Sequence, residues 1–203
     1  INLSDTGIMA RNLSNVNLTL ATLTLMGVKS AQVVDYAGGY GLLVRLLRDK
    51  GVDAYWADPY SENLVARGFE YSDTNMASLV TAFEAFEHFV RPPEELEKLL
   101  TIAPNILLTT TLAPRPAPQP SDWWYYGLEH GQHVGIYRVE TVEFLAKKFG
   151  LNMLSDGVSV HFLSKKRFSP FAWKFFRYMS KKLPRAFSKG LISKTWSDHL
   201  LMS

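Results

Sequence analysis

The chain has 203 residues, 47% of them hydrophobic and 20% charged, ordinary values for one globular domain with its own core and not for a disordered, collagen-like or coiled-coil chain. It contains no cysteine, which excludes disulfide scaffolds, thiolate zinc sites and cysteine nucleophiles, suits a reducing compartment and restricts any metal to His, Asp or Glu. The net charge of +3 is uneven, since residues 1–160 carry 12 Lys/Arg against 18 Asp/Glu and residues 161–203 carry 10 against 1; an acidic body excludes nucleic acid as a partner, and an anionic partner would meet the tail.

Leu13, Val16, Leu20, Leu23, Leu25 and Met26, followed by Gly27, predict a leading helix over 12–27 with a glycine cap. Ala31 to Asp35 reads as a buried strand and the glycine cluster at 38–41 as a tight turn. Leu42, Leu43, Val44, Leu46 and Leu47, interleaved with Arg45 and Arg48, predict an amphipathic helix that stops at Gly51. A second strand follows at 53–58, then a short helix near 61–67 and a brief strand from Phe69 to Tyr71. Residues 78–83 form the next strand, and Pro92 opens a helix with Glu94 and Glu95 in its first turn. Asn105 to Leu112 is a further strand. Prolines 114, 116, 118 and 120 make 113–121 a long loop that runs into Trp123-Trp-Tyr-Tyr. A helix over 139–149 ends at Gly150, and strands at 151–155 and 158–164 form an antiparallel pair around Asp156-Gly157. Strands alternating with helices predict a mainly parallel, doubly wound α/β sheet.

In the tail, a helix over 170–182 places Lys174, Arg177 and Lys181 opposite Phe171, Phe175, Tyr178 and Met179. Either its basic face meets an anionic membrane surface or its aromatic face packs on the domain. No apolar run reaches the roughly 18 to 20 residues of a membrane-spanning helix. A secretory signal is also not recognised at the start, so a cytoplasmic protein is expected, with a short segment expected to have preceded Ile1.

Ligands of doubly wound sheets sit beyond the carboxyl ends of the strands, which directs attention to Asp35-Tyr-Ala-Gly-Gly-Tyr-Gly after the first strand. Ala37, Gly38, Gly39 and Gly41 let a ligand approach the backbone, and the helix starting near Gly41 offers free amides. Asp58 ends the second strand 23 residues after Asp35, where a carboxylate grips a ribose diol; a helix cap is the other role open to it. A dinucleotide fingerprint needs glycine or alanine three residues after Gly41, and Val44 stands there, which disfavours a nicotinamide cofactor. Asp35 suits the ammonium and hydroxyls of an adenosyl amino acid, so S-adenosylmethionine fits this turn better.

Val33-Val-Asp-Tyr-Ala-Gly-Gly-Tyr-Gly is similar to the first motif of the class I S-adenosylmethionine-dependent methyltransferases, with Ala37 in place of the usual first glycine. Val80-Thr-Ala-Phe-Glu-Ala-Phe-Glu-His resembles the strand-four signature of the ubiquinone-biosynthesis O-methyltransferase branch and its sugar-modifying relatives. Trp123-Trp-Tyr-Tyr-Gly-Leu-Glu-His-Gly-Gln-His resembles the loop after strand five in bacterial methyltransferases found among polysaccharide-biosynthesis genes. The resemblance covers about residues 11–166. It implies a Rossmann-like, mainly parallel seven-stranded sheet with an antiparallel last strand, in a methyltransferase domain over 1–166 that a basic, aromatic helical extension over 167–203 follows.

The same resemblance implies S-adenosylmethionine bound by Asp35, Ala37, Gly38, Gly39, Gly41, Asp58, Phe83 and Glu84. Only 26 residues separate Asp58 from Glu84, so the third strand and its helix are abbreviated, and Asp73 is assigned to the adenine amino group. Arg11, beside a leading helix that covers the cofactor in related enzymes, either pairs with the methionine carboxylate or is solvated. The expected acceptor is a small polar molecule, a sugar or nucleotide-sugar hydroxyl. Trp123, Trp124, Tyr125, Tyr126 and Glu129 are assigned to its pocket, with plain packing of the loop as the other reading of the aromatics. His88, His130 and His133 are the candidates for the base that removes the acceptor proton. His133 is preferred, because His88 can cap the next helix and His130 can point outward. Glu129, His130 and His133 also have a spacing compatible with a metal ion, but no metal is expected. A nicotinamide-dependent oxidoreductase and a non-catalytic cofactor-binding module are the rival readings.

Overall fold

Short apolar runs and well-placed glycines divide the chain into strands and helices in the expected order. A computed structural model describes residues 6–72, 76–129 and 131–203. The elements are α1 (Ile8–Met26), β1 (Gln32–Tyr36), α2 (Leu42–Asp49), β2 (Asp53–Ala57), β3 (Leu79–Phe83), α3 (Pro92–Ile102), β4 (Asn105–Thr109), α4 (Val139–Lys148), β5 (Asn152–Ser155), β6 (Val160–Ser164), α5 (Pro170–Lys182), α6 (Pro184–Phe187) and α7 (Thr195–Met202). The sheet order is β2-β1-β3-β4-β6-β5. The first four strands are parallel, whereas β6 runs antiparallel to both β4 and β5. This is the mainly parallel Rossmann-like α/β fold with an antiparallel end that the sequence predicts.

Alternation along the strands feeds two cores. Val33, Leu79, Leu107 and Phe162 point to one face, where they pack with α1, α2, Trp173 of α5 and Phe187 of α6. Val34, Val80, Ile106, Leu108 and Leu163 point to the other, against Leu96 and Leu99 of α3 and Val142 and Leu145 of α4. A central parallel strand covered on both faces is mostly apolar, as Leu79, Val80 and Ala82 are, and its one buried hydroxyl, on Thr81, is spent on a hydrogen bond to Asp35.

Three expectations are corrected. Among the described residues the sheet has six strands, not seven: the strand expected at Phe69–Tyr71 is a single parallel bridge between Trp56 and Glu70. Its ladder stops at two bonds, from Trp56 N to Phe69 O and from Tyr71 N to Trp56 O, both 2.8 Å. The helix expected near 61–67 is a series of bends. Here Asn63 takes the Ala66 amide with its side-chain oxygen at 2.9 Å and donates to Glu70 at 2.7 Å, local bonds that compete with a helical ladder. Finally, α5 packs by another face than its composition suggested. Trp173 and Ser180 are buried while Phe171, Phe175 and Tyr178 are exposed, because the i, i+3, i+7 row through Trp173, Phe176 and Ser180 is the one that meets the domain. Trp173 stacks on Phe162 with ring centroids 5.6 Å apart.

The tail is tied down by its one acid. Asp198 of α7 is buried and accepts two bonds from Arg48, at 2.7 and 2.8 Å, and one from Arg45 at 2.7 Å. Burial opposes its charge, but the two guanidinium groups outweigh that and hold its carboxyl below the ordinary range. No helix among the described residues is long and apolar enough to cross a membrane.

Candidate active site

The turn after β1 is built around positive φ. Ala37 (58°), Gly39 (54°) and Gly41 (86°) all lie in the left-handed region, where glycine is at ease and alanine is strained by roughly 1–2 kcal/mol. A Cβ on Gly38 would lie 2.8 Å from Asp35 Oδ2 and 2.9 Å from Trp56, and one on Gly41 would lie 2.7 Å from Asn63 and 2.9 Å from Ala66. Neighbouring protein therefore demands glycine at both positions. Trp56 Nε1 donates to Gly39 O at 2.8 Å, and Gly39 N donates to Asp58 Oδ2 at 2.9 Å. The other oxygen of Asp58 accepts from Tyr60 N at 2.8 Å and Ser61 N at 3.0 Å. One carboxylate thus joins the glycine turn to the loop after β2.

A cavity of about 910 Å³ opens beside this turn, at the carboxyl ends of β1 and β3. Its lining contains Arg11, Asp35, Ala37, Gly38, Gly39, Asp58, Phe83, Glu84 and His88 of the residues assigned from sequence. Gly41 is not in the lining; it is buried behind the turn. Asp73 and His130 lie outside the described residues. The lining also includes residues that no motif marked, among them Asn12 and Asn15 of α1, Tyr60, and Glu94 of α3, together with Gln132, which lies in the third motif but is given no role there. An apolar periodicity reports only the buried face of α1, so its polar, cavity-facing residues carried no signal.

Strain and electrostatics mark the same place. Glu84, at the end of β3, has a φ of 50°, so the two non-glycine residues in the left-handed region among the described residues, Ala37 and Glu84, both border the cavity. Asp35 is 4% exposed and accepts a 2.7 Å bond from Thr81 Oγ1. Burial pushes its carboxyl up to about 7 against that hydrogen bond, and repulsion from Asp58 adds to the rise. A cation entering the cavity would meet an acid poised to ionise.

Beside the cavity, a short 3-10 turn after β3 (Phe86–His88) brings Glu87 and His88 against the segment around His133. Val134 N and Gly135 N both donate to Glu87 O, at 2.8 and 2.9 Å. The rings of His88 and His133 lie 5.0 Å apart, with His88 Nδ1 2.8 Å from Gln132 O and His133 Nδ1 2.6 Å from Tyr125 O. The Glu87 side chain is fully buried. Burial raises its carboxyl above the ordinary range, and the charge of Glu84 reinforces the shift. Ligand atoms of Glu87, His88 and His133 all lie within 4.8 Å of one another, a different trio from the Glu129, His130 and His133 spacing read in the sequence.

None of Trp123, Trp124, Tyr125, Tyr126 and Glu129 lines the cavity. The aromatic stretch packs on itself: Trp123 sits 5.3 Å from Tyr125 and 5.0 Å from Tyr126, while Trp124 is 79% exposed. Tyr125 is buried, accepts the Thr111 amide at 2.8 Å and holds its ring 4.7 Å from that of His133. It supports His133 from behind.

A family model described as a methyltransferase domain matches residues 9–156. Solved structures share the fold at low identity. An O-methyltransferase family protein from Burkholderia thailandensis has a TM-score of 0.55 at 12% identity, over 75% of this chain and 55% of its own. The O-methyltransferase NcsB1 of neocarzinostatin biosynthesis, solved with S-adenosyl-L-homocysteine and 1,4-dihydroxy-2-naphthoic acid, has 0.51 at 16%, over 68% and 50%. OxaC, solved with S-adenosylhomocysteine and oxaline, has 0.51 at 17%, over 74% and 47%. The chain thus spans about half the length of these solved proteins. Comparison with curated proteins finds no match. With the family match running from α1 through β5 and the glycine turn and Asp58 bordering one cavity, the chain belongs to the class I S-adenosylmethionine-dependent methyltransferases.

Proposed function

We propose that the chain is an O-methyltransferase that binds S-adenosylmethionine in the cavity and methylates a hydroxyl of a small polar acceptor such as a sugar or nucleotide sugar. The observation that carries this is the cavity itself: it joins the glycine turn and Asp58 at one side to His88 and Gln132 at another. Its size is at the upper end of the roughly 300–1,000 Å³ usual for ligand sites, enough for cofactor and acceptor together. The residues fit the cofactor: a backbone edge at Ala37 to Gly39 without bulky side chains, an acid at Asp58 for a ribose diol, Asp35 for an ammonium and Arg11 for a carboxylate. When bound, the cofactor supplies an activated methyl group on a sulfonium leaving group. The protein's part is positioning and proton loss. Asn12, Asn15 and Gln132 offer hydrogen bonds to a hydroxylated acceptor, and the acceptor proton departs to His88, which lines the cavity, with the ring of His133 outside the lining and 5.0 Å from it.

Calorimetry with S-adenosylhomocysteine tests this directly. Gly39→Val should weaken binding about ten- to a hundredfold, the loss of one or two polar contacts to the ligand, whereas NAD should not bind. An unchanged titration of Gly39→Val, or preference for NAD, would sink the assignment; methyl incorporation into a panel of sugars and nucleotide sugars identifies the acceptor class.

We also propose that α5 rests on an anionic membrane surface. Its outward face combines exposed Phe171, Phe175 and Tyr178 with Lys174, Lys181 and Lys182, the pairing of apolar anchors and cations that interfacial helices use.

A further inference from the structure

We infer that the first turn of α3 makes the acceptor end of the cavity reject phosphate, so that the acceptor is a phosphate-free sugar, neutral or amine-bearing, and not a sugar phosphate or nucleotide sugar. This rests on the methyltransferase reading with a sugar acceptor and narrows it.

His88, Phe89, Val90 and Arg91 follow one another in the lining of the cavity and lead into α3, whose Glu94 and Glu95 also line it. The start of that helix therefore borders the side to which the acceptor proton departs. A helix start is ordinarily a ready seat for a phosphate, because its first amides have no partner within the helix and its dipole is positive there. Here that seat is dismantled. The amides left over at the start of α3 belong to positions 91 to 94, and Pro92 and Pro93 have no N–H to offer. Glu95 N already donates to Arg91 O at 3.1 Å. Glu94 and Glu95 then set carboxylates of the protein's own at the positive end of the dipole.

The cations of the cavity are committed as well. Arg91 donates to Glu94 Oε1 at 3.0 Å, with both side chains in the lining, so its charge is matched before a ligand arrives. Arg11 is the other guanidinium of the described lining and is assigned to the cofactor's carboxylate; no lysine lines the cavity among the described residues. Against these two stand Asp35, Asp58, Glu84, Glu94 and Glu95. Glu95 is held at the wall from two sides, since the Tyr36 hydroxyl donates to one oxygen at 2.8 Å and Lys98 Nζ to the other at 2.6 Å. A phosphate entering beside α3 would give up water to face carboxylates, the like-charge juxtaposition by which proteins exclude wrong partners.

A sugar without phosphate meets the same wall favourably. Its hydroxyls donate to carboxylate oxygens, and an ammonium on the ring gains from the surplus of acids. Tyr36, Tyr60 and Phe89, all in the lining, offer apolar surface to the CH face of the ring. The acceptor oxygen forms its bond to the methyl carbon as the carbon–sulfur bond breaks, the electron pair of that bond stays on sulfur, and the hydroxyl proton goes to His88.

Methyl transfer from S-adenosylmethionine to matched sets tests the selectivity. Each set holds the methyl glycoside, the 1-phosphate and the nucleotide-diphosphate derivative of one sugar, for glucose, galactose, mannose and glucosamine, with S-adenosylhomocysteine calorimetry on the same protein. The wild type should give the phosphate-free member a kcat/KM about tenfold or more above its phosphorylated partners. Glu94→Gln removes a charge at an exposed position and releases Arg91, so it should narrow that ratio by about tenfold. Glu97→Gln, exposed on α3 and outside the lining, should keep the wild-type ratio. A wild type that methylates the phosphorylated members as well or better, or a ratio that Glu94→Gln shifts no more than Glu97→Gln does, overturns the selectivity and leaves the methyltransferase reading standing. Failure to bind S-adenosylhomocysteine, or binding it with no set methylated, overturns the reading of a methyltransferase with a sugar acceptor instead.

Discussion

Asp35 carries a carboxyl that titrates at about 7 because burial outweighs the Thr81 hydrogen bond and Asp58 adds repulsion. The folded state thus holds a proton there more tightly than the unfolded chain does, so this group favours folding at low pH, and that contribution is lost as pH rises through about 7. Ligand binding has the opposite sign, since an ammonium beside Asp35 favours its ionised form. S-adenosylhomocysteine affinity should rise between about pH 6 and about pH 8, by up to about tenfold per unit below the pKa, and Asp35→Asn should bind more weakly with this group's pH dependence gone. Calorimetry at several pH values decides it, and a pH response unaltered in the variant would remove Asp35 from the cofactor's contacts. Ala37 sits at a φ of 58°, so Ala37→Gly should relieve strain at the turn and be tolerated for cofactor binding. Its thermal midpoint and S-adenosylhomocysteine affinity test this; a loss of either would show that the Ala37 methyl packs usefully against the core cluster it borders.

At the scale of elements, α7 and α5 attach by different physics. Helix α7 is anchored by charge: Asp198 lies between Arg45 and Arg48, and Arg48 also stacks 3.7 Å over the ring of Phe69. Asp198→Asn should destabilise the chain by up to about 3–5 kcal/mol at neutral pH, because it leaves the buried Arg48 guanidinium with only the longer 3.3 Å pair to Asp53 as countercharge. The folded pKa of Asp198 is depressed, so its contribution is complete above the unfolded value and fades as pH falls through the folded one. Denaturant titrations of both proteins at neutral and acid pH should therefore converge in acid; a constant gap would deny the ion pair its role. Helix α5 is anchored by Trp173 and keeps its aromatic and basic residues outward. If it rests on an anionic surface, vesicles rich in anionic lipid should sediment the protein at low salt and release it at high salt, with about 1 kcal/mol per basic residue near the surface. Phe175→Ser with Lys174→Ser should weaken this; protein that stays in the supernatant at low salt would end the membrane reading.

For the whole molecule, the tail is part of the fold's packing. Trp173 and Phe187 join Val16, Leu20, Leu23 and Phe162 in one core, and each buried aromatic contributes about 1.5–3 kcal/mol. A chain cut after Lys166 loses both, together with the Asp198 clamp, out of a total stability on the order of 5–15 kcal/mol. It should unfold at a much lower temperature than the intact chain or fail to fold, as near-UV circular dichroism during heating would show. An unaltered midpoint would mean that residues 167–203 are a dispensable appendage.

Much of this protein is legible one segment at a time. Apolar runs of five residues determine the strands, Gly27 and Gly51 the ends of the first two helices, and the turn at 35–41 with Asp58 one end of the cavity, because periodicity and turn chemistry act over a few residues. Tertiary structure decided the rest. The Asn63–Glu70 bonds replaced a helix and left the third strand a single bridge, Trp56–Glu70. Which row of α5 is buried followed from where Trp173 meets Phe162. The aromatic stretch at 123–126 turned out to pack on itself and to brace His133. Glu87, His88 and His133 became one cluster only when the loop after β4 folded back so that Val134 and Gly135 could bond the Glu87 carbonyl. Local sequence sets backbone shape, but the convergence of side chains distant in the chain depends on strand order and loop path.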